Sequence, residues 1–130
     1  MTDNQGAGGE LRVLDVARLH TLGEETGLGV RGVAALFLEQ MGDQLDELRS
    51  AIHEGAPVTL AQTAHRCAGS SVMAGMERLS RLLRELEHSP VAGLNDAPGC
   101  EASVEREFAA VMTQLSAVLA STPGEGPVAA

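Results

Sequence analysis

The stretch that organises this chain is PVTLAQTAHRCAGSSVMAGMERLSRLLRELE, residues 57–87, which has the composition of helix. Within it, His65 is followed four residues later by Gly69, and residues at this spacing stand one above the other on a helix. Glycine inside an exposed helix costs about 1 kcal/mol relative to alanine. The sequence therefore indicates that something other than helix formation requires Gly69. Its missing side chain leaves room beside the imidazole of His65.

The periodicity of the 57–87 stretch places its residues on two faces. The inward face is predicted to carry Leu60, Ala64, Cys67, Ser71 and Ala74. The other face, predicted to point outward, carries His65, Ala68, Gly69 and Val72. Gly75 is expected to break the chain, and a further helix follows with Leu79, Leu82, Leu83 and Leu86 turned inward.

The flanking sequence also predicts helices. Before residue 57, apolar residues recur at spacings of three and four, as in an amphipathic helix: Val30, Val33, Phe37, Met41, Leu45, Leu48 and Ile52. Gly55 is expected to end that helix, Pro57 to begin the next, and Asp15 to cap a first short helix. Residues 88–99 are predicted to form a loop. A last helix is predicted from Val104, Phe108, Val111, Leu115 and Val118.

These elements predict an all-α fold, an antiparallel four-helix bundle with a short additional N-terminal helix. The chain of 130 residues has the length of one domain, and with no Trp, no Tyr and two Phe its core must be aliphatic. We expect a disordered leader over residues 1–10, the bundle over 11–120 and a disordered tail over 121–130.

The charge of the chain excludes several classes of partner. The net charge is −9 and all the basic residues are arginine, which argues against a nucleic acid and against an anionic membrane surface. Neither a transmembrane run nor a secretory signal is present. The two cysteines, Cys67 and Cys100, lack the spacing of a metal site and are expected to be reduced thiols, with Cys67 in the core. These features predict a cytoplasmic protein.

The central motif resembles that of the histidine phosphotransfer (HPt) domain, approximately His-x-Leu-Lys-Gly-Ser-Ser, then Gly, Leu and a closing Leu-Glu. The corresponding residues here are His65, Gly69, Ser70, Ser71, Gly75, Leu79, Leu86 and Glu87. Two positions depart from the motif: Cys67 stands in place of leucine and Ala68 in place of lysine. The resemblance covers roughly residues 11 to 120, and it implies the helical bundle that the periodicity also predicts.

The resemblance implies that His65 accepts a phosphoryl group on Nε2 and passes it to or from the aspartate of a response-regulator receiver domain. The resemblance equally implies a hybrid histidine kinase as the donor. The receiver would supply both the aspartate and Mg²⁺, so the chain itself needs no cofactor and no metal. An ATP-dependent kinase is excluded, because the chain has no Gly-x-x-x-x-Gly-Lys-Ser/Thr loop and no lysine. Whether the carrier counts as an enzyme stays open.

The residues expected to support the phosphoryl site are Gly69, Arg66, Ala68 and Ser70. Ala68 offers no cation, and Arg66 points about 100° away from His65 around the helix, so we expect slower transfer than in a lysine-bearing relative. A basic patch formed with Arg78, Arg81 and Arg84 has two interpretations: it supports the phosphate, or it is a solvated face paired with glutamates. Ser70 has a second interpretation as well, a hydrogen bond within its own helix or across the bundle.

An apolar rim for docking the receiver is expected from Ala61, Val72, Met73 and Met76. Glu87 has two equal interpretations, the closing glutamate of the motif or an exposed residue at a helix end. The remaining histidines are interpreted as surface or capping residues: His20, His53 and His88. The alternative function is a binding module that docks or sequesters a receiver or histidine kinase without being phosphorylated. In either case we expect a monomer.

Overall fold

The computed structural model describes residues 10–121, and within this range the regular structure is entirely α-helical. The six helices are α1 (Val16–Thr26), α2 (Gly29–Glu54), α3 (Pro57–Met73), α4 (Glu77–His88), α5 (Pro90–Leu94) and α6 (Ala97–Ser121). The predicted all-α class is confirmed for this part of the chain. The predicted leader and tail lie outside the described residues, apart from Glu10 and from Ser121, which is the last residue of α6.

The helix boundaries follow the local signals of the sequence. Asp15 caps α1, since its Oδ1 accepts a hydrogen bond from the backbone N–H of Arg18 at 3.2 Å. Gly55 ends α2, and its N–H donates to the carbonyls of Ala51 and Ile52. Pro57 is the first residue of α3, a position at which its missing N–H has no intrahelical acceptor in any case. The predicted caps and breaks are therefore confirmed.

The predicted loop over residues 88–99 is wrong. It contains the short helix α5 and the beginning of α6. Pro90 is the first residue of α5 and Pro98 lies in the first turn of α6, where proline is compatible with helix. Asp96 supports the start of α6, because its Oδ1 accepts a hydrogen bond from the backbone N–H of Gly99 at 3.2 Å. These residues mark helix starts here and not a continuous loop.

An aliphatic core lies between α2, α3, α4 and α6. Helix α2 packs against α3 and α6, and α4 packs against the same two helices. The largest fully buried side chains include one aromatic ring among aliphatic groups: Leu19, Met41, Leu48, Ile52, Leu60, Leu79, Leu83, Phe108 and Leu115. Burying a side chain of this size stabilises the fold by about 2 kcal/mol. The predicted inward faces of α3 and α6 are confirmed, and Leu82 of α4 is partly buried.

Helices α3 and α4 form a hairpin whose turn is built around Gly75. Its φ is +79°, a left-handed conformation that glycine adopts without strain. The turn is closed by a hydrogen bond from the Met76 N–H to the Ser71 carbonyl at 2.9 Å. A Cβ at position 75 would stand 2.8 Å from the Cβ of Asp15. Gly75 is therefore required both by its backbone conformation and by the close approach of the chain before α1.

That chain, which we call the N-terminal strap (residues 12–18), crosses the turn of the hairpin. Three hydrogen bonds join it to the turn: Asp15 N–H to Gly75 O at 2.8 Å, Arg78 N–H to Arg12 O at 3.0 Å, and Arg18 Nε–H to Met73 O at 2.9 Å. A fourth runs from the Arg12 N–H to Oε1 of Glu77 at 2.9 Å. The strap thus satisfies polar groups that the end of α3 and the start of α4 leave without helical partners.

Candidate functional site

His65 lies in the middle of α3 with its side chain 73 % exposed. Its Nδ1 is 2.7 Å from Oε2 of Glu87, a partly buried residue near the end of α4. An ionised carboxylate can only accept a hydrogen bond, so Nδ1 carries the proton and donates it. In the neutral ring, the lone pair is then on Nε2. Among the described residues Nε2 has no hydrogen-bond partner, which leaves a nucleophilic nitrogen at the surface.

Sequence reasoning left Glu87 with two interpretations, and the structure favours the one that includes it in the motif. His65 is on α3 and Glu87 is on α4, and the hairpin brings the two together. Its turn contains Met76, which is midway between them in sequence. The hydrogen bond fixes the tautomer and orientation of the ring, as carboxylates do for histidines at many protein sites. The signal that pointed to Glu87 was its place at the end of the motif.

Gly69 lies one turn beyond His65 on the same exposed surface. A Cβ built at this position meets no neighbouring atom within 4 Å. The fold itself therefore does not require a glycine there, in contrast to Gly75. The space beside the imidazole that the sequence predicted is present, and it opens to the solvent.

Ala68 does not lie on the outward face, and that prediction is wrong. Its side chain is only 4 % exposed. Arg66, about 100° to one side of His65, pairs with α2, so residue 68, about 60° to the other side, is turned towards α4, whose Glu87 binds His65. The position that carries lysine in the HPt motif is thus held by a small, buried side chain, and it brings no charge to His65.

Arg66 is not brought to His65. Its Nη1 and Nη2 both donate to Oε1 of Glu47 on α2, each at 3.1 Å. The Arg66 guanidinium is thus held by α2, whereas the partner of His65 comes from α4. This arrangement leaves α3 without a cation directed at the imidazole.

Ser70 makes hydrogen bonds both within its own helix and across the bundle, as its second interpretation predicts. Its Oγ donates to the carbonyl of Cys67 at 3.1 Å and accepts from Nε2 of Gln44 on α2 at 3.2 Å. The hydroxyl thus donates one hydrogen bond within α3 and accepts one from α2. Ser70 therefore supports the position of α3 and is not directed at His65.

The arginines of α4 divide into two kinds. Arg78 pairs with Glu107 of α6 at 2.7 Å, and Arg81 pairs with Glu85 one turn along at 3.6 Å. Arg84 is exposed and makes no ion pair or side-chain hydrogen bond with any of residues 10–121. The interpretation as a solvated, paired face thus fits Arg78 and Arg81 but not Arg84.

The apolar rim differs in membership from the prediction. Val72 and Met73 are exposed and Ala61 is partly buried, but Met76 is 2 % exposed and does not belong to it. Met76 directly precedes α4, and the tight turn at Gly75 directs its side chain into the core. Sequence reasoning missed the exposed Val58, although its spacing of seven residues from His65 is the signal that places it on the same face. We define the apolar rim as Val58, Ala61, Val72 and Met73.

The other reactive side chains lie away from this surface or are inaccessible. Cys67 and Cys100 are buried free thiols, and burial raises the pKa of Cys67 to about 11. The expected core position of Cys67 is confirmed. His53 is exposed, and its Nε2 lies 2.8 Å from Oε1 of Glu101. His88 donates from Nδ1 to the carbonyl of Arg84 at 2.7 Å.

Within residues 10–121, no group of three or more His, Cys, Asp or Glu side chains is arranged so that it could hold a metal ion. In the same range, no helix has the length and apolar character needed to cross a bilayer.

The family model described as the Hpt domain matches residues 32–120. The structure is similar to the crystal structure of histidine-containing phosphotransfer protein B (HptB) from Pseudomonas aeruginosa PAO1, with a TM-score of 0.74 and 28% sequence identity. That match covers 85% of this chain and 97% of the HptB chain. No curated protein matches the sequence.

Proposed function

Because the chain belongs to the Hpt domain family, we propose that it is a phosphocarrier of a two-component phosphorelay. It accepts a phosphoryl group on Nε2 of His65 and passes it to or from the aspartate of a response-regulator receiver domain. The observation that carries this proposal is the state of one ring: Nδ1 is held by Glu87 at 2.7 Å while Nε2 faces solvent. Gly69 provides the open surface through which an acyl phosphate can approach.

The transfer step uses the two ring nitrogens differently. The Nε2 lone pair forms the N–P bond as the P–O bond to the partner's aspartate breaks, and the aspartate carboxylate leaves with the electron pair. The ring gains positive charge and keeps the Nδ1 proton, which Glu87 accepts in a hydrogen bond strengthened by that charge. The reverse transfer follows the same path with the roles of donor and acceptor exchanged.

The partner completes the site. Hpt domains interact with response-regulator receivers and with histidine kinases in phosphorelays. We propose that the receiver brings the aspartate together with Mg²⁺, which would neutralise charge on the transferring phosphoryl oxygens. The apolar rim surrounds His65 with exposed aliphatic and thioether groups, and it provides the area for docking. The chain then contributes position and electrostatics more than covalent machinery of its own.

We also propose a finer description of the assembly. The four long helices that pack in a closed ring, α2 with α3, α3 with α4, α4 with α6 and α6 with α2, support an antiparallel four-helix bundle to which α1 is added. We expect it to act as a monomer. We expect it in the cytoplasm, since both of its cysteines are free thiols.

The experiment is phosphoryl transfer from a phosphorylated receiver domain to the wild type, His65→Gln and His53→Gln. His53 is a matched control, because it is also exposed and also has a glutamate partner, but one that lies 2.8 Å from Nε2. We expect an acid-labile, alkali-stable label that His65→Gln abolishes and His53→Gln retains. A label that survives in His65→Gln would contradict the proposal.

The alternative, a binding module that docks a receiver without being phosphorylated, is favoured by one observation. Helix α3 directs no cation at His65, since Ala68 is buried and Arg66 is paired with Glu47. Under this alternative the receiver binds the wild type, but no label appears. The same experiment, with receiver binding measured beside transfer, separates the two functions.

A further inference from the structure

A phosphoryl group on His65 needs a cation that α3 does not provide. Such a group carries between about 1.5 and 2 negative charges at neutral pH. Glu87 already places a carboxylate 2.7 Å from the other ring nitrogen. Uncompensated charge of one sign at a partly desolvated interface is unfavourable. The question is which side chain compensates it.

Of the four arginines of α3 and α4, Arg84 alone has a guanidinium without an ion pair or hydrogen bond to residues 10–121. Arg66 is bound to Glu47, Arg78 to Glu107, and Arg81 lies beside Glu85. Arg84 has no such partner among residues 10–121. It stands three residues before Glu87, a spacing at which ion pairs form on helices, but Oε2 of Glu87 is bound to His65 instead.

Helix geometry places Arg84 on the flank of α4 next to Glu87, the residue that binds His65. Arg84 precedes Glu87 by nearly one helical turn and differs from it by about 60° around the axis of α4, on the more exposed side. It also lies about 4.5 Å nearer to the hairpin turn than Glu87 does. Because α3 runs in the opposite direction, that height corresponds to Ala68 and Gly69. Arg84 lines a groove together with Val72, near the end of α3, and Arg81 of α4.

The space at Gly69 allows the Arg84 side chain to extend across α3. Residue 69 is exposed and carries no side chain, and the volume that its Cβ would occupy is empty to 4 Å. A long side chain from α4 can therefore lie across α3 at this height and reach the outer side of the His65 ring. A larger residue at 69 would stand between the two.

We propose that Arg84 binds the phosphoryl group on His65 from the neighbouring helix, in place of the lysine that the HPt motif carries at the position of Ala68. This inference rests on the proposed phosphocarrier function. The guanidinium donates hydrogen bonds to the phosphoryl oxygens as the N–P bond forms, and no proton or covalent bond of Arg84 changes. Compared with the HPt motif, the cation is on α4 instead of α3, and the motif's lysine position on α3 holds the small, buried Ala68.

The test compares Arg84→Gln with Arg81→Gln. Arg81 is the matched control: it lies on the same helix, is exposed, and loses the same charge on substitution. We expect Arg84→Gln to slow transfer from a phosphorylated receiver about tenfold, the value of one hydrogen bond between charged groups, and to shorten the lifetime of the phosphohistidine. Arg84→Lys should restore most of both. Arg81→Gln should resemble the wild type.

Affinity for the unphosphorylated receiver distinguishes this role from docking. We expect the same Kd for Arg84→Gln and the wild type, because the arginine acts on the phosphoryl group. The inference is overturned if Arg84→Gln transfers as fast as Arg81→Gln, or if its slower transfer is matched by weaker receiver binding. If instead the wild type takes no label, or His65→Gln keeps it, the phosphocarrier function itself fails.

Discussion

Nδ1 of His65 and Oε2 of Glu87 lie 2.7 Å apart although the residues are separated by 22 positions in the chain. The two helices that carry them meet at a turn centred on Gly75, so the register of the hairpin decides which side chain of α4 faces the imidazole. A shift of one residue on α4 would rotate Glu87 by about 100° and remove its carboxylate from the ring. The reactive tautomer is thus determined by helix packing.

Two substitutions of Glu87 should slow transfer to different degrees. In Glu87→Gln the amide oxygen can still accept from Nδ1–H, but the negative charge that stabilises the ring during transfer is lost. We expect a decrease of about tenfold in the transfer rate, as for a hydrogen bond to a charged group. In Glu87→Ala the tautomer is no longer held, and the rate should fall further. Single-turnover transfer from a phosphorylated receiver measures both.

The control for Glu87 is Glu85→Gln. Glu85 is exposed on the same helix, and its ion-pair partner is Arg81, 3.6 Å away. This variant should transfer at the wild-type rate. If Glu85→Gln and Glu87→Gln slow transfer equally, the effect comes from the net charge of α4 and not from the hydrogen bond to His65.

Gly69→Ala should separate stability from function. The new methyl group meets no atom within 4 Å, and alanine favours helix by about 1 kcal/mol over glycine, so the free energy of unfolding should rise by that amount. Transfer should nevertheless fall, because the methyl group occupies the space beside His65. Urea unfolding and transfer kinetics on the same sample test both statements.

Gly42 of α2 offers the matched substitution. It is also exposed within a helix, and a Cβ there also meets nothing within 4 Å. Gly42→Ala should stabilise the fold to a similar degree and leave transfer unchanged. Equal transfer rates in the Gly69 and Gly42 variants would show that the partner does not use the space at residue 69.

Gly75→Ala should destabilise the fold more than Gly27→Ala. Both glycines have a positive φ, +79° and +77°, which costs an alanine about 1 to 2 kcal/mol. Only at residue 75 does the added Cβ also collide with a neighbour, at 2.8 Å from the Cβ of Asp15. We expect Gly75→Ala to cost about 1 kcal/mol more than Gly27→Ala in urea unfolding. Equal losses would mean that the N-terminal strap yields freely at this contact.

The stability of the fold should decrease in alkali because of the cysteines. Burial raises the pKa of Cys67 from 9.0 to about 11, and it raises the pKa of Cys100 as well. The unfolded thiols ionise first, so their contribution to stability is complete below pH 9 and is lost as the pH rises through about 11. The sequence has no lysine and no tyrosine, so no other side chain ionises in this range.

The measurement is the urea midpoint at about pH 8 and about pH 10.5, for the wild type and for Cys67→Ala with Cys100→Ala. The double variant loses some packing energy at both pH values, but its midpoint should not change between them. A wild-type midpoint that is equally constant would contradict the prediction.

The sequence predicted those features that depend on neighbouring residues. Asp15, Gly55 and Pro57 act within one helical turn, and the apolar stripes report the face of each helix that turns inward. The place of His65 was also readable, because the histidine, the glycine and the helix that joins them are local. Residues 88–99 were misread because Pro90 and Pro98 can each end an element or begin one. At Pro98 the cap provided by Asp96 favours a helix start, whereas α5 begins without a side-chain cap.

The features that could not be predicted depend on which helices pack on each side of α3. Ala68 is small and lies near the edge of the apolar stripe, so its periodicity is compatible with either face, and only the packing of the neighbouring helices buries it. The partner of Arg66 comes from α2, and that of His65 from α4. Neither pair is visible until the order of the helices around α3 is known. The same holds for Arg84, whose position relative to His65 follows from the hairpin register.

The N-terminal strap has a consequence for where this domain begins. The family match starts at residue 32, but residues 12–18 bind the turn that aligns α3 with α4. A chain that begins at residue 32 would leave the Gly75 and Met73 carbonyls and the Arg78 N–H without these partners. It would also expose the apolar surface that Leu19 and Leu22 now cover. The part of the sequence that the family model matches is therefore smaller than the part that we expect the protein to need in order to fold as one cooperative unit.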